Sequence, residues 1–217
     1  MKNICVIGAG GLGRETIMVI EDINKVKRNY NILGIIDDKK DIKGKYINNY
    51  PVLGGTNWIK EHEDEDIKYV FGIGEPKIKK KILGKILDLN IDFETIIHPS
   101  AIYSQHIKLG KGVVITAGCI LTVNIIIEDH VFLNLNTTVG HDTIIKNLAI
   151  ASPTVCINGI NTIGEGVYLG TGCKLIHNIE IGSWSIIGAG AVVVKDIPSF
   201  VTAVGVPAEV IKTHKKR

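Results

Sequence analysis

The chain has 217 residues, of which 45% are hydrophobic and 22% charged, and its formal net charge at pH 7 is +3. This length allows one or two domains, each with a hydrophobic core. The small excess of basic residues is concentrated at the C-terminal end, from Lys212 to Arg217, and does not indicate a nucleic-acid partner. Because no run of eighteen apolar residues is present and MKNICVIG lacks a cleavable leader, we expect no membrane span and assign the protein to the cytoplasm.

The first 96 residues alternate between predicted strands and helices. ICVIGAGG is typical of a buried strand that enters a glycine turn, GRETIMVIEDI of a helix, and YNILGIIDD of a second strand that ends in two acids. A short apolar segment follows at 51–53, after which we predict a helix near 56–63, a strand at IKYVFGIG, a Lys-rich helix over 75–89 and a last strand before His98. The alternation predicts a small parallel α/β sheet, whose ligands bind at the carboxyl ends of its strands.

The turn after the first strand carries a phosphate-binding pattern. Gly8, Gly10 and Gly13 fit GxGxxG, and Asp37 and Asp38 end the second strand roughly where a ribose-binding acid would lie. Taken alone, this pattern predicts NAD, but a unit of about ninety residues is only half of what a dinucleotide normally spans. The diphosphate of a nucleotide sugar fits such a turn equally well, and glycines needed only for a tight turn are the third interpretation.

The second part of the chain is a hexapeptide repeat. Every sixth residue from Leu109 to Val193 is aliphatic, fifteen times in succession. The positions are Leu109, Ile115, Leu121, Ile127, Leu133, Val139, Ile145, Ala151, Ile157, Ile163, Leu169, Leu175, Ile181, Ile187 and Val193. The residue four places after each is mostly small or β-branched, with Asn161 and Ser185 as the weakest matches. This period predicts a β-helix of eighteen residues per triangular coil, in which residues eighteen apart stack about 4.8 Å apart.

One histidine in the repeat has the context of a general base. His141 is predicted to face outward and is followed by Asp142, and a neighbouring carboxylate fixes the tautomer of a histidine and makes it a better proton acceptor. Gly159 stacks on His141 one coil later, which opens a notch and exposes a backbone N–H for an oxyanion. His177 stacks two coils later, too far away to be its partner, and the lack of a plausible third ligand argues against a metal site.

Several segments together resemble a known family. They are GAGGLGRE, the IIDD strand end, FGIGEPKIKKKI, IHPSA, the GHD at 140–142 and GVPAEVI at 205–211. The chain resembles the sialic-acid O-acetyltransferases and nucleotide-aminosugar N-acetyltransferases over nearly its full length. The resemblance implies a Rossmann-like nucleotide-sugar-binding domain at residues 1–96 and a left-handed β-helix acetyltransferase domain at 97–217. It also implies acetyl-CoA as co-substrate and a homotrimer with active sites between subunits; with no third ligand for a metal, we expect no metal cofactor.

The resemblance also assigns site residues. In the repeat it makes His141 the base and Asp142 the acid that increases its basicity, with Asn134 orienting the sugar. It places the thioester near Ile150 and Gly159, and the rest of CoA along Thr171 and Ala189. In the front domain it assigns Gly10, Gly11 and Leu12 to the phosphate turn, Asp37 and Asp38 to the base or ribose, and Gly74 to the crevice.

These observations predict an acetyl-CoA-dependent transferase that acetylates an amino or hydroxyl group of a nucleotide-linked sugar, with His141 as general base. Two alternatives stay open at this point: a sialic-acid-type sugar O-acetyltransferase, and a non-catalytic dinucleotide-binding module on a trimeric solenoid. The residues do not distinguish the sugar, the acceptor atom, or a UDP, GDP or CMP carrier.

Overall fold

The computed structural model describes residues 1–215, so Lys216 and Arg217 of the basic end lie outside the described residues. Two compact units make up the chain, Met1–Pro99 and Ser100–Arg217. This division falls three residues after the boundary that the sequence predicts.

The first unit is a six-stranded sheet with three α-helices. Its strands are β1 (Lys2–Ile7), β2 (Tyr30–Ile36), β3 (Tyr46–Ile47), β4 (Tyr50–Gly54), β5 (Ile67–Phe71) and β6 (Asp92–Phe93), followed by the short strand β7 (Ile96–Ile97). Its helices are α1 (Gly11–Val26), α2 (Thr56–Glu61) and α3 (Pro76–Lys85), with a 3-10 turn at Lys40–Ile42. The strand order is β3-β4-β2-β1-β5-β6, and every pair is parallel except β3 with β4.

The predicted parallel sheet is confirmed, with one helix shorter than expected. Helix α3 ends at Lys85, short of the predicted residue 89. Gly84 in its last turn weakens the helix there, because glycine loses more backbone entropy on ordering than any other residue. The chain leaves the central strand β1 for β2 on one side and later returns to β5 on the other. The carboxyl ends of β1 and β5 therefore form the switch point at which such sheets bind ligands.

Three glycines let the backbone segments around this switch point approach each other. Gly8 has φ +116°, and a Cβ there would lie 2.7 Å from Ile73 Cγ1 and 2.8 Å from the carbonyl oxygen of Gly72. A Cβ on Gly13 would overlap the carbonyl oxygen of Gly8, and one on Gly72 would overlap Gly13 Cα. These glycines are therefore required by packing, whether or not a ligand binds.

The second unit is a parallel β-helix of two-residue strands. The strands are β8 (Ile102–Tyr103), β9 (Lys108–Leu109), β10 (Val114–Ile115), β11 (Ile120–Leu121), β12 (Ile126–Ile127), β13 (Phe132–Leu133), β14 (Thr138–Val139), β15 (Ile144–Ile145), β16 (Ile150–Ala151), β17 (Cys156–Ile157), β18 (Thr162–Ile163), β19 (Tyr168–Leu169), β20 (Lys174–Leu175), β21 (Glu180–Ile181), β22 (Ile186–Ile187) and β23 (Val192–Val193). They form three faces, ordered β8-β11-β14-β17-β20-β23, β9-β12-β15-β18-β21 and β10-β13-β16-β19-β22. On the last face, β22 also pairs in parallel with β24 (Val201–Val204), and β24 pairs antiparallel with β25 (Glu209–Thr213).

The predicted coil of eighteen residues is confirmed by the strand register. Phe132 pairs with Val114 on one side and with Ile150 on the other, and the same interval recurs on the other two faces. Fourteen of the fifteen aliphatic repeat positions are buried, and Leu109 at the start of the series is half-buried. The smaller register, from Val113 to Ala191, is buried throughout.

The two weakest matches of the repeat are buried polar residues with hydrogen-bond partners. Asn161 donates through Nδ2 to the carbonyl oxygens of Asn158 and Ile176, and its Oδ1 accepts the N–H of Ile179. Ser185 donates to the carbonyl oxygen of Pro198 at 2.7 Å. Because their polar atoms are paired within the wall of the coil, both residues fit positions that the pattern reserves for small apolar side chains.

Candidate active site

A cavity of about 530 Å³ lies at the switch point of the first unit. Six sequence-predicted residues line it together: Gly10, Gly11, Leu12, Asp37, Asp38 and Gly74. The structure thus gathers the glycine turn, the end of β2 and the loop after β5 around one space. A cavity of this size suits a nucleotide-sized ligand.

The glycine turn presents unbonded donors to this cavity. Helix α1 begins at Gly11, its N-cap Gly10 supplies no side-chain hydrogen bond, and its first turn contains no acidic residue. A Cβ on Gly10 would meet no atom within 4 Å, so the turn is open on its ligand side. The first N–H groups of a helix lack partners within the helix and attract anions, which makes this turn suitable for a phosphate.

The two acids at the end of β2 are already occupied within the protein. Asp37 accepts the N–H of Ala9 at 2.9 Å through Oδ2 and the N–H of Lys39 at 3.0 Å through Oδ1. Asp38 accepts the N–H of Thr56 at 2.8 Å through Oδ1, and its Oδ2 pairs with Nζ of Lys85. Although partial burial opposes ionisation, the hydrogen bonds from Lys85 and Thr56 hold the pKa of Asp38 below its usual value.

This finding alters the predicted role of the acids. Asp37 ties the glycine turn to the end of β2, and Asp38 ties α2 to α3 across the cavity wall. Both carboxylates retain lone pairs that could accept from a ribose or base. Their contact with a ligand stays a prediction, while their structural bonds are observed.

Helix α3 contributes a face that the sequence argument did not assign to the site. Ile78, Lys81, Ile82 and Lys85 line the cavity from successive turns of this helix. Their spacing of three and four residues places them on one helix face, so helical periodicity just after Gly74 was the signal that could have found them. Lys85 is paired with Asp38, so within residues 1–215 Lys81 is the cation of α3 in the cavity wall that has no carboxylate partner.

In the second unit, His141 and Asp142 form a hydrogen-bonded pair at a turn of the coil. Nδ1 of His141 lies 2.8 Å from Oδ2 of Asp142, and both side chains are about half exposed. The hydrogen bonds from His141 and from Asn124 hold the pKa of Asp142 below its usual value, so the carboxylate is ionised at neutral pH. An ionised carboxylate accepts only, so the ring proton belongs on Nδ1 and Nε2 is available to take a proton.

Gly159 provides the surface on which the imidazole lies. A Cβ at Gly159 would be 2.7 Å from Nε2, 2.8 Å from Cε1 and 2.9 Å from Cδ2 of His141. A Cβ on Gly140 would overlap the backbone nitrogen of Gly159. The two glycines therefore let the imidazole lie directly on Gly159 and let Gly140 pack against the backbone nitrogen of Gly159.

The N–H of Gly159 donates no hydrogen bond within residues 1–215. At another turn of the coil, the equivalent N–H groups donate to the side chain of the residue eighteen places later. The N–H of Lys111 donates to Oδ1 of Asp129, and the N–H of Asp129 donates to Oδ1 of Asn147. The residue eighteen places after Gly159 is His177, whose side chain accepts no such hydrogen bond within residues 1–215. Gly159 thus combines an unbonded donor with immediate proximity to Nε2, the arrangement that the sequence predicts for an oxyanion site.

The remaining predicted residues of the repeat lie at a different turn. Each coil has three turns, and we call 140–142, 158–160 and 176–178 the His141 corner and 134–136, 170–172 and 188–190 the Asn134 corner. Thr171 and Ala189 are exposed on the Asn134 corner. Neighbouring corners of one coil are separated by about 15–20 Å, the span of a six-residue repeat. The structure therefore does not bring Asn134, Thr171 and Ala189 to His141 within one chain.

Asn134 is buried with one amide group committed. Asn134 is only 8% exposed, and its Oδ1 accepts a hydrogen bond from the N–H of Leu135 at 2.7 Å. The Nδ2 group has no partner in the described chain, so it is the part of Asn134 that can donate to a ligand.

The resemblance places the thioester near Ile150, and this placement stays a prediction. Ile150 lies in β16, paired with Phe132 and Tyr168, and is 3% exposed. His177 stands exposed at the His141 corner, two coils from His141, and its role stays open.

Two structural features are absent from the described residues. No helix within residues 1–215 is long and apolar enough to cross a membrane. The same residues contain no group of three His, Cys, Asp or Glu side chains that could hold a metal ion.

Both units match family models. Residues 3–86 match the PglD N-terminal domain, and residues 162–195 match the bacterial transferase hexapeptide (six repeats). The chain is 29% identical over 216 residues to the GDP-perosamine N-acetyltransferase of Escherichia coli O157:H7, covering 95% of each chain. It is 32% identical over 145 residues to a serine acetyltransferase of Buchnera aphidicola subsp. Acyrthosiphon pisum, of which it spans about half, 46% of the length.

Solved structures extend the likeness over both units. The acetyltransferase domain of PglB from Neisseria gonorrhoeae FA1090 is 30% identical with a TM-score of 0.88, and the match covers 97% of this chain and 100% of that one. PerB from Caulobacter crescentus, solved in complex with CoA and GDP-perosamine, is 28% identical with a TM-score of 0.89 over 98% of both chains. The perosamine N-acetyltransferase of that organism was also solved as H141N and H141A mutants with the same two ligands.

Proposed function

Because this chain belongs to the nucleotide-aminosugar acetyltransferases that join a PglD-type N-terminal domain to hexapeptide repeats, we propose that it transfers acetyl from acetyl-CoA to the amino group of a nucleotide-linked aminosugar. The observation that carries this proposal is the pair of His141 and Asp142 above Gly159. It supplies a base whose accepting nitrogen lies close to a glycine whose N–H is unbonded within residues 1–215, a combination suited to acyl transfer to an amine.

The reaction follows from this geometry. Nε2 of His141 takes a proton from the sugar amine while the amine nitrogen attacks the carbonyl carbon of the thioester. The N–H of Gly159 donates to the oxygen that becomes negative in the tetrahedral intermediate. The C–S bond then breaks, and the CoA thiolate leaves and receives the proton from the imidazolium. Within residues 1–215 no serine or cysteine is hydrogen-bonded to His141, so the acetyl group passes directly to the amine.

The first unit has the features of a nucleotide diphosphate site. Its cavity combines the open glycine turn at the start of α1 with the ammonium group of Lys81. Backbone N–H groups and a lysine are a common combination for binding phosphates. We assign the nucleotide to this cavity and the transfer step to the β-helix.

A homotrimer would complete the transfer site. The proposed CoA residues Thr171 and Ala189 and the base His141 lie on different corners of one coil, so a single ligand can reach both sets only where the Asn134 corner of one protomer meets the His141 corner of the next. Such a head-to-tail contact repeats and closes into a ring. Three protomers fit the triangular coil and the family resemblance.

We further infer that the reaction takes place in the cytoplasm, because acetyl-CoA and nucleotide-linked sugars are cytoplasmic metabolites. Transfer to nitrogen is favoured over the sialic-acid-type O-acetyltransferase because two of the proteins that match along both units are named GDP-perosamine N-acetyltransferases.

Release of free CoA from the full chain tests the proposal. UDP-, GDP- and CMP-linked aminosugars are each compared with the matched sugar that carries a hydroxyl in place of the amine. We expect release with at least one aminosugar and little with its hydroxyl counterpart, and a decrease in kcat on the order of a hundredfold or more in His141→Asn. No CoA release with any aminosugar, or near-normal turnover by a folded His141→Asn trimer, would refute it.

A thermal-shift series distinguishes the non-catalytic alternative. A ligand that binds only the native state raises the melting temperature. The proposed enzyme should respond to acetyl-CoA and to one nucleotide diphosphate. A response to NAD without one to acetyl-CoA would support the dinucleotide-binding module instead.

A further inference from the structure

The carboxylate of Asp142 has a second partner besides the histidine. Nδ2 of Asn124 donates to Oδ1 of Asp142 at 3.1 Å, while Oδ2 faces Nδ1 of His141 at 2.8 Å. Asn124 precedes Asp142 by eighteen residues and therefore occupies the same turn position one coil earlier. Each carboxylate oxygen thus has one directional partner, and the two partners together define the plane of the carboxylate.

The positive φ at this turn explains why position 124 is an asparagine, but it does not explain why the amide of Asn124 donates to Asp142. Asn124 has φ 57°, and Asp142 and Asn178, at the same turn position, both have φ 58°. Asparagine and aspartate are favoured at positive φ, so the turn alone selects these residue types. Asn178, in the same conformation, makes no side-chain hydrogen bond within the described chain. The amide of Asn124 therefore has a contact that its backbone does not require.

Asp142 needs such a contact to stay in place. Its side chain is 50% exposed, and its own backbone N–H is bonded to the carbonyl oxygen of Val123 rather than to the carboxylate. An exposed carboxylate with a single partner rotates readily into solvent, since water competes for both oxygens.

We propose that Asn124 is a positioning residue that holds the Asp142 carboxylate against Nδ1 of His141 and thereby keeps Nε2 free as the base. The expected effect on kcat rests on the proposed function, whereas the expected effect on the tautomer of His141 does not. Asn124 touches neither substrate nor the reacting atoms, and it acts through Asp142 alone.

Two substitutions separate positioning from a general structural role. Asn124→Gly removes the amide and tolerates the positive φ, so the turn is kept. Asn178→Gly is the matched control, because it makes the same change at the same turn position two coils from Asp142. We expect Asn124→Gly to decrease kcat about tenfold with KM within about twofold. Asn178→Gly should decrease kcat by less than about threefold, because it leaves the bond from Asn124 to Asp142 in place.

Asn124→Asp gives a pH signature that packing cannot produce. The introduced carboxylate is the same shape as the amide but repels Asp142 when both are ionised, and close pairs of carboxylates retain one proton to raised pH. A protonated carboxyl can again donate to Asp142. The ratio of variant to wild-type kcat should therefore rise several-fold as the pH falls from about 8.5 to about 6.

The tautomer of His141 supplies a readout that needs no substrate. In protein labelled with ¹⁵N-histidine, the two ring nitrogens of a neutral imidazole have different chemical shifts according to which one carries the proton. We expect wild type and Asn178→Gly to carry it on Nδ1, and Asn124→Gly to populate both tautomers. The His141→Asn variant identifies the signal.

The outcomes are decisive in either direction. An unchanged tautomer in Asn124→Gly overturns the positioning role, whether or not the proposed substrate class is correct. An equal loss of kcat in Asn124→Gly and Asn178→Gly, or a flat pH ratio for Asn124→Asp, also overturns it. A shifted tautomer in a chain that releases no CoA would support the positioning role and refute the proposed function instead.

Discussion

The substitution Gly159→Ala tests the link between the coil geometry and catalysis. A Cβ at this position would lie 2.7 Å from Nε2, 2.8 Å from Cε1 and 2.9 Å from Cδ2 of His141. Non-bonded carbon atoms pack at about 3.5–4.0 Å, so the ring must move by roughly 0.7–1 Å. Because the His141 side chain is 56% exposed, it can move outward without disturbing the core.

The kinetic cost of this displacement is large and the stability cost small. A misplacement of about 1 Å in a catalytic group lowers the rate on the order of a hundredfold. Gly159 does not have the positive φ that would strain an alanine, so we expect the free energy of unfolding to change by no more than about 0.5 kcal/mol. The assay is kcat for CoA release, beside urea denaturation of the same samples.

A double-mutant cycle checks that the effect passes through the imidazole. In His141→Asn the ring is absent, so adding Gly159→Ala should change the residual rate by less than about threefold. Retention of more than half of the wild-type kcat by Gly159→Ala would refute the close-contact argument. A hundredfold loss in both backgrounds would show that the methyl group acts on something other than the ring.

Three further predictions address other parts of the molecule. Lys81→Ala should weaken the binding of a nucleotide diphosphate severalfold by calorimetry and reduce its salt dependence, while Lys77→Ala, on the same helix but outside the cavity wall, should not. Because the pKa of Asp38 is lower in the folded chain than in the unfolded one, its ionised form stabilises the fold above about pH 4. The difference in unfolding free energy between wild type and Asp38→Asn should thus be constant from pH 7 to 5 and shrink below pH 4. Asn161→Ala should cost about 2–4 kcal/mol in urea denaturation, since it leaves the buried N–H of Ile179 without its acceptor, and a cost below about 1 kcal/mol would contradict that accounting.

The repeat was the part of the fold most open to prediction. A period of six is set by the turn of a triangular coil, so Leu133 or Ile187 could be placed inward from spacing alone. The same arithmetic stacks Gly159 on His141. The spacing does not predict the directions of the side chains. The hydrogen bond from Asn124 to Asp142 depends on their rotamers, which the positive φ of the two residues allows but does not determine.

The front unit was harder to interpret at the level of its site. The glycine turn and the ends of the strands are local signals, and the sequence identified them. The partners of Asp38 lie in α2 and α3, eighteen and forty-seven residues away, and no local pattern connects them. The burial of Ile150 was not predictable for a related reason, because the repeat specifies which residues point into the coil but not whether an outward face is covered.

The uniform eighteen-residue register limits how the length of the β-helix can vary. Inserting a single residue between His141 and Gly159 would place Asn158 over the imidazole and shift every later inward side chain to the outside. Adding or removing a whole coil preserves the inward pattern, as in other stacked repeats. Removal of residues 143–160 would keep the hydrophobic interior continuous but would stack His177 on His141. A second imidazole ring would then occupy the place of Gly159. Homologous chains of different length should therefore differ by multiples of a full coil, and only outside the segment that joins the base to its glycine.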